Sequence, residues 1–260
     1  MEEKKYALIT GASSGFGEAC AELLAQKGFG IIACARREER LKRLCDKLRL
    51  TYNCECIPLC FDIRKQEEIA NAIKGLPKNA IENLSVLINN AGLAAGRDPI
   101  HSGSLVDWEE MLDTNVKGLL YLTRIISPIM AMKKRGHIIN ISSIAGKEVY
   151  PDGNVYCASK HAVEALSKAM RIDLLSHGIK VTNIAPGAAE TEFSLVRFKG
   201  DVDKSSAVYD GFVPLKAQDI AEAVWFAINQ PMRVTIADMT ILPAAQGSSM
   251  HFHRSFMEDS

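Results

Sequence analysis

The chain has 260 residues, 47% of them hydrophobic and 24% charged, a composition that suits a soluble globular domain with a sizeable core. Lys plus Arg and Asp plus Glu number 31 each, so the formal net charge is zero and the basic excess that usually accompanies phosphate-backbone binding is missing, which argues against a nucleic-acid partner. No apolar run approaches the roughly 18–20 residues that cross a bilayer. The start, Met1-Glu2-Glu3-Lys4-Lys5, lacks the apolar segment and small-residue cleavage site of a signal peptide, so the expectation is a cytoplasmic protein with no membrane partner.

In chain order, short apolar runs alternate with longer amphipathic ones. Strands are expected at Tyr6–Thr10, Gly30–Ala35, Cys56–Phe61, Ser85–Asn89, His137–Ser142, Lys180–Ala185 and Val234–Leu242. Each is apolar on successive residues, as strands buried on both faces of a parallel sheet are. Helical periodicity fills the gaps at Phe16–Lys27, Arg37–Leu50, Gln66–Leu76, Trp108–Lys134, Asn154–His177 and Ala217–Asn229. The first places Ala19, Leu23 and Leu24 on one stripe and stops at Gly28, a natural C-terminal stop. Linkers, repeats and low-complexity tracts are missing, so the reading is one α/β domain over residues 1–260, a doubly wound, Rossmann-type parallel sheet with helices on both faces. A substrate-covering segment is expected near 188–216 and a C-terminal tail near 243–260.

Seven cysteines, Cys20, Cys34, Cys45, Cys54, Cys56, Cys60 and Cys157, are scattered without a Cys-x-x-Cys or a nearby His to complete a tetrahedral set. No metal is expected, and in a reducing compartment all should be free thiols acting as small hydrophobes.

The first strand runs into Thr10-Gly11-Ala12-Ser13-Ser14-Gly15-Phe16-Gly17 and then a helix. Glycines permit a tight turn and bring backbone N–H groups close to a phosphate, and the helix N-terminus adds its dipole and unpaired donors. The spacing is one residue longer than the usual dinucleotide fingerprint, and the strand-turn-helix context makes nucleotide binding the expectation. At the end of the second strand, where an NAD site carries an acid for the ribose 2′-hydroxyl, Ala35 is followed by Arg36 and Arg37. Guanidinium groups take a 2′-phosphate that a carboxylate would repel, which points to NADP; the alternative is two solvated arginines opening a surface helix, followed by Glu38 and Glu39.

Tyr156 and Lys160 lie four apart near the start of a long helix and so share one face. A free tyrosine, with a pKa of about 10, is a poor base at neutral pH, and bringing it near neutrality requires about 4 kcal/mol of preferential phenolate stabilisation. A nearby ammonium and an oxidised nicotinamide ring both act in that direction.

Thr10-Gly-x-x-x-Gly15-x-Gly17, Asn89-Asn90-Ala91-Gly92, Asn115, Ser143, Tyr156-x-x-x-Lys160 and Pro186-Gly187, in this order, resemble the short-chain dehydrogenase/reductase family over essentially the whole chain. The resemblance implies an NADP-dependent alcohol/carbonyl oxidoreductase. Its catalytic residues are Asn115, Ser143, Tyr156 and Lys160. Tyr156 exchanges the alcohol proton, Ser143 hydrogen-bonds the substrate oxygen, Lys160 holds the nicotinamide ribose and lowers the tyrosine pKa, and Asn115 holds a water linking Lys160 to solvent. Cofactor contacts are implied at Gly11, Ala12, Ser13, Ser14, Gly15, Phe16 and Gly17, at Arg36 and Arg37, at Asp62 and Ile63 by the adenine, at Asn90, Ala91 and Gly92, at Tyr156 and Lys160, and at Pro186, Gly187, Ala188, Ala189 and Thr191.

Within the family, Asn90 through Pro99, Asp107 through Asn115, Gly153 through Tyr156 and Thr191 through Asp201 are similar to the NADP-dependent 3-hydroxy acid dehydrogenases, which act on serine, L-allo-threonine and 3-hydroxypropionate. The chain departs from them at Pro186-Gly-Ala-Ala and in its tail after Ala244. A 3-hydroxy acid needs a cation for its carboxylate, and Arg197 or Lys199 is placed to supply it; bidentate geometry favours Arg197, alongside Ser143 and Tyr156, and the alternative is that both pair with surface acids such as Asp201. Two other readings stay open, an NADPH-dependent carbonyl reductase of apolar ketones or 3-oxoacyl substrates and a non-catalytic NADP-sensing regulator. The family also implies a homotetramer paired through the helices over 108–134 and 154–177.

Overall fold

The computed structural model describes residues 4–254; the ends of the expected tail, and the charged start before Lys4, lie outside the described residues. The apolar runs form a seven-stranded sheet in the order β3-β2-β1-β4-β5-β6-β7, every neighbouring pair parallel. The strands are β1 Tyr6–Thr10, β2 Gly30–Ala35, β3 Cys56–Cys60, β4 Leu84–Asn89, β5 Gly136–Ile141, β6 Ile179–Pro186 and β7 Asp238–Ile241. The order reverses between β1 and β4, and side chains at the carboxyl ends of those strands border the crevice where ligands bind in such sheets.

One face is covered by α1 Gly15–Gln26, α2 Glu38–Tyr52 and α10 Ala217–Ile228, whose Leu24, Leu41, Leu48 and Val224 pack with Ile9, Ile31 and Ile139. The other carries α3 Gln66–Lys74, α6 Leu119–Met132 and α7 Asn154–Asp173, which bring Ile69, Leu122, Ile126 and Val163 against Leu8, Leu87 and Ile138. The central strands β1, β4, β5 and β6 are buried almost throughout. The edge strands β3 and β7 are not: their alternate residues stay partly exposed, because each has a neighbour on one side only. A short helix, α4 Lys78–Glu82, precedes β4 and shows no periodicity long enough to read in sequence.

The stretch expected as one helix over 108–134 begins earlier and changes its winding. It comprises α5 Leu105–Leu112, capped by the Ser104 hydroxyl, then a π-helical stretch Asp113–Gly118, then α6. The last strand is shorter than the expected 234–242. Before Asp238 the backbone is tied mainly by side chains, with Lys180 reaching the Val234 carbonyl, Thr182 that of Ile236 and Arg171 that of Ala237, which also accepts from Asn183 N.

The cysteines do not all stand free. Cys45 of α2 and Cys56 of β3 form a disulfide across a Cα–Cα distance of 5.1 Å, because Asn53, in a left-handed conformation, ends α2 and folds the chain back under it. Cys20, Cys34, Cys54 and Cys157 are buried thiols and Cys60 an exposed one. Among the described residues no cluster of His, Cys, Asp and Glu is arranged to hold a metal, and no helix is long and apolar enough to cross a membrane.

Candidate active site

A cavity of about 820 Å³ opens at the carboxyl ends of the strands, running from Arg36 and Arg37 past β1 and β4 to Tyr156 and Arg197. Its first wall is the turn between β1 and α1. Gly11 and Gly15 both adopt positive φ, +65° and +55°, which only glycine takes without strain. Gly17 serves packing: a Cβ there would lie 2.4 Å from the Gly11 carbonyl oxygen, so its bareness lets α1 start against the turn. Ser14 precedes α1 without a side-chain capping bond, leaving the first-turn N–H groups for a ligand. Ser13, Ser14, Gly15 and Phe16 line the cavity as expected; Ala12 and Gly17 do not, the former being buried with its N–H on the Cys34 carbonyl.

Thr10 opens the glycine motif, and its side chain adds a contact that the motif does not state. Its hydroxyl accepts from the N–H groups of Asn90 and Ala91, both at 2.9 Å, while the Asn90 amide donates to the Thr10 carbonyl at 2.8 Å. These bonds weld the β4 loop, with Asn90, Ala91 and Gly92 on the cavity wall, to the glycine turn.

Both arginines lie at the cavity's open end. Arg37 donates to the hydroxyls of Ser13 and Ser14 at 3.0 and 2.8 Å and pairs with Glu192 at 3.0 Å. Arg40 joins it, 2.7 Å from the same carboxylate, and although partial burial alone would raise the Glu192 carboxyl, the two guanidiniums hold it below the usual range. Arg36 is looser, 3.9 Å from Glu110. Glu38 and Glu39, which weakened the phosphate reading, turn to Lys42 at 3.0 and 3.3 Å. Asp62 and Ile63 reach the wall, but the Asp62 carboxylate is occupied by Arg64, 2.6 Å away; burial would raise it, and the Arg64 bonds bring it below its ordinary value.

At the inner end, Tyr156 and Lys160 project from α7 and are buried, 7% and 6% exposed. Lys160 Nζ donates to the Ile141 carbonyl at 3.0 Å and lies 6.0 Å from the centre of the Tyr156 ring; burial lowers its pKa to about 8. Gly92 faces it: a Cβ there would stand 3.4 Å from Nζ and 3.1 Å from Asn115 Oδ1. Burial pushes the Tyr156 phenol well above its ordinary value, Tyr150 adds to this, and a Ser143 hydrogen bond and the Arg197 charge oppose it. The expected lowering by Lys160 is therefore not a property of the protein alone: desolvation outweighs the charges the chain supplies. Ser143 caps the short turn Ile144–Gly146, accepting from Ala145 N at 3.1 Å, which fixes its hydroxyl toward the phenol.

Asn115 sits in the π-helical stretch, behind the wall rather than on it. Its amide accepts from Leu93 N and donates to Leu93 O, both at 2.8 Å, and donates to Ser159 at 3.0 Å. The side chain is thus a strut joining the β4 loop to α7.

The stretch after β6 closes the site. Pro186, Gly187, Ala188, Ala189 and Thr191 line the cavity, with the Ala188 N–H on Gln246 Oε1 at 2.8 Å, a contact from the tail that no motif announced. Thr191 caps α8 Glu192–Arg197, which is followed by α9 Val202–Ala207. Phe193 packs on Tyr156 with ring centres 5.6 Å apart. Arg197 stacks on Tyr150 at 5.5 Å and on Tyr156 at 5.6 Å, and its Nε and Nη2 are buried without a hydrogen-bond partner. Lys199 turns away to Asp107 at 2.8 Å, and Asp201 pairs with Lys204 at 3.0 Å. Of the two cations expected near the substrate, the geometry brings only Arg197 to the phenol; Tyr150 and Phe193 complete that end.

A turn of bare glycines at a switch point, an arginine at its outer rim and a Ser–Tyr–Lys group within define a dinucleotide-dependent oxidoreductase. A family model for short chain dehydrogenases matches residues 5–200, and the chain belongs to that family. It is 42% identical over 250 residues to the NADP-dependent 3-hydroxy acid dehydrogenase YdfG of Salmonella typhi, covering 95% of this chain and 99% of the relative. The NADP-dependent 3-hydroxy acid dehydrogenase of Schizosaccharomyces pombe is 39% identical over 251 residues, 96% of each chain. Among solved structures, the closed form of serine dehydrogenase complexed with NADP+ matches with a TM-score of 0.90 at 41% identity, covering 96% of this chain and 100% of the other.

Proposed function

We propose that this protein transfers a hydride between NADP and the hydroxyl-bearing carbon of a small 3-hydroxy acid of the serine, allo-threonine or 3-hydroxypropionate type. The observation that carries this reading is the Arg197 guanidinium stacked on the Tyr156 ring with two buried, unpartnered N–H groups. Those donors fit a substrate carboxylate held beside the phenol.

Bound NADP would supply the hydride acceptor. The glycine turn, the open α1 N-terminus and Arg37, which already donates to Ser13 and Ser14, fit its pyrophosphate and 2′-phosphate. During oxidation the hydroxyl proton passes to Tyr156 Oη as the hydride leaves the same carbon, and the Ser143 hydroxyl bonds the oxygen as it becomes a carbonyl. Lys160 would hold the nicotinamide ribose; since burial lowers its own pKa to about 8, it can also exchange protons near neutral pH. With the Asn115 amide spent on Leu93 and Ser159, a water in the relay is held by its main chain, where π-helical winding displaces carbonyls from their usual partners.

The segment 188–216 acts as the cover over the substrate, and the tail from 243 buttresses it through Gln246. We place the enzyme in the cytoplasm as a homotetramer; exposed Leu105, Val106, Leu112 and Leu120 on α5 and α6, with Ile172 on α7, supply apolar surface for pairing. The reductase of apolar ketones is the second reading, favoured by Phe193, Val196 and Phe252 on the same cavity. A panel assay following NADPH absorbance with 3-hydroxy acids and their methyl esters separates the two. Preference for the acids supports the first, and equal turnover of acid and ester overturns it. An NADP sensor without turnover would show neither.

A further inference from the structure

We infer that the substrate end of the cavity takes a 3-hydroxy dicarboxylate, with Arg97 holding the second carboxylate. The inference rests on the reading of Arg197 as the clamp for the first. Arg97 follows Gly96 in the loop between β4 and α5, lines the same cavity, and lies 5.7 Å from the centre of the Tyr150 ring, on which Arg197 stacks at 5.5 Å. The Gly96 N–H donates to the Arg197 carbonyl at 3.1 Å, so the two loops that carry the guanidiniums are fastened together beside that ring.

Asp98, Asp107 and Asp152 line a small adjoining pocket with Arg197, but the substrate end of the main cavity carries cations without acids. Cations at the rim are neutralised: Arg37 and Arg40 by Glu192, Lys199 by Asp107, Lys204 by Asp201. The carboxylates lining the cavity, Asp62 and Glu192, stand at its cofactor end, each held by arginine. Among the described residues neither Arg97 nor Arg197 has an acid partner; Arg97 has only a long bond to the Pro151 carbonyl, at 3.4 Å. Arg254, from the tail, adds a third cation to the same wall, stacked on Phe212 and Phe252. A cleft lined by one sign of charge concentrates the opposite sign, and one carboxylate would leave most of this field unanswered.

Tyr150 sets the spacing. It is half-buried beside both guanidiniums. Each guanidinium carbon lies within 5.7 Å of one ring centre, which points to a short diacid, such as a five-carbon one with its hydroxyl at the middle carbon.

The test is kcat/KM with NADP for 3-hydroxyglutarate, its monomethyl ester and 3-hydroxypropionate. The wild type should favour the diacid over the monoester about tenfold or more, the worth of one charge-assisted hydrogen bond. Arg97→Gln should remove that preference while leaving 3-hydroxypropionate within about twofold, and Arg97→Lys should retain part of it. If the diacid is not turned over, its inhibition constant against 3-hydroxypropionate replaces the rate, and no inhibition overturns the inference. So does equal use of diacid and monoester, or an Arg97→Gln enzyme weakened alike on all three. Arg197→Met should lower turnover of every carboxylate. If it spares 3-hydroxypropionate, the clamp is what fails, and the Arg97 result is read separately.

Discussion

Replacing Arg197 by Met separates binding from stability in opposite directions. In the ligand-free protein, Nε and Nη2 of Arg197 are buried without partners, and leaving such donors unsatisfied costs about 1–3 kcal/mol each. Stacking on Tyr150 and Tyr156 returns roughly 0.5–1 kcal/mol per ring. Methionine keeps much of the volume and demands no hydrogen bonds, so Tm should hold or rise. Turnover should move the other way. A carboxylate seated on those donors strengthens transition-state binding by about 2–4 kcal/mol, so kcat/KM for serine or 3-hydroxypropionate should fall roughly thirty- to several-hundred-fold. The Arg197 charge also opposes the upward push that burial gives the Tyr156 phenol. Its removal should shift the acid limb of the oxidation pH profile upward. Reduction of an uncharged ketone provides the control, because it uses the protonated phenol and touches no clamp. The assay is steady-state NADPH absorbance over a pH series, with thermal unfolding of the same samples. An Arg197→Met enzyme that loses stability, or loses acid and ketone turnover equally, would refute the reasoning.

Other outcomes follow from the same geometry. Tyr156→Phe should abolish turnover while cofactor binding, followed by nicotinamide fluorescence, stays near wild type; a residual rate of about a tenth would remove Tyr156 as the proton carrier. Replacing Arg36 and Arg37 with Ala should weaken NADP about tenfold or more and NAD little, read by titration of both, and a native preference for NAD would contradict the phosphate site. Lys160, lowered from its usual 10.5 to about 8, destabilises the ligand-free fold by about 3 kcal/mol at neutral pH. Because the folded pKa is the lower one, stability from this group is full above 10.5 and is lost as pH falls toward 8. Lys160→Met should therefore raise Tm at pH 7 more than at pH 10, and an equal effect at both would show that the lysine is not desolvated. Light scattering reporting a monomer at micromolar concentration would remove the homotetramer.

The parallel sheet was legible because β1 and β2 are short unbroken apolar runs, and their ends agree with the sequence reading. The phenol and its lysine were legible for a similar reason, since four residues on a helix fix a shared face. What stayed hidden depends on contacts distant in sequence. No spacing announces that Thr10 fastens Asn90, that Gln246 reaches Ala188, or that Cys45 meets Cys56. A sequence shows the charge neighbouring Tyr156 but not the depth of burial that opposes it. Bidentate geometry favoured Arg197 over Lys199, but only the fold shows α8 turning the first onto Tyr156 and the next loop carrying the second to Asp107.

The widened winding at Asp113–Gly118 also bears on how this chain tolerates insertion and deletion. A π-turn accommodates one extra residue within a helix while leaving the registers on either side unchanged. Removing a single residue there should let α5 run straight into α6, with Leu119, Leu122 and Ile126 still facing the sheet. The Asn115 amide would then swing away from Leu93 and Ser159, loosening the β4 loop from α7. Such a deletion should yield a protein that folds yet has an idle centre, so this turn separates the requirements of the scaffold from those of catalysis.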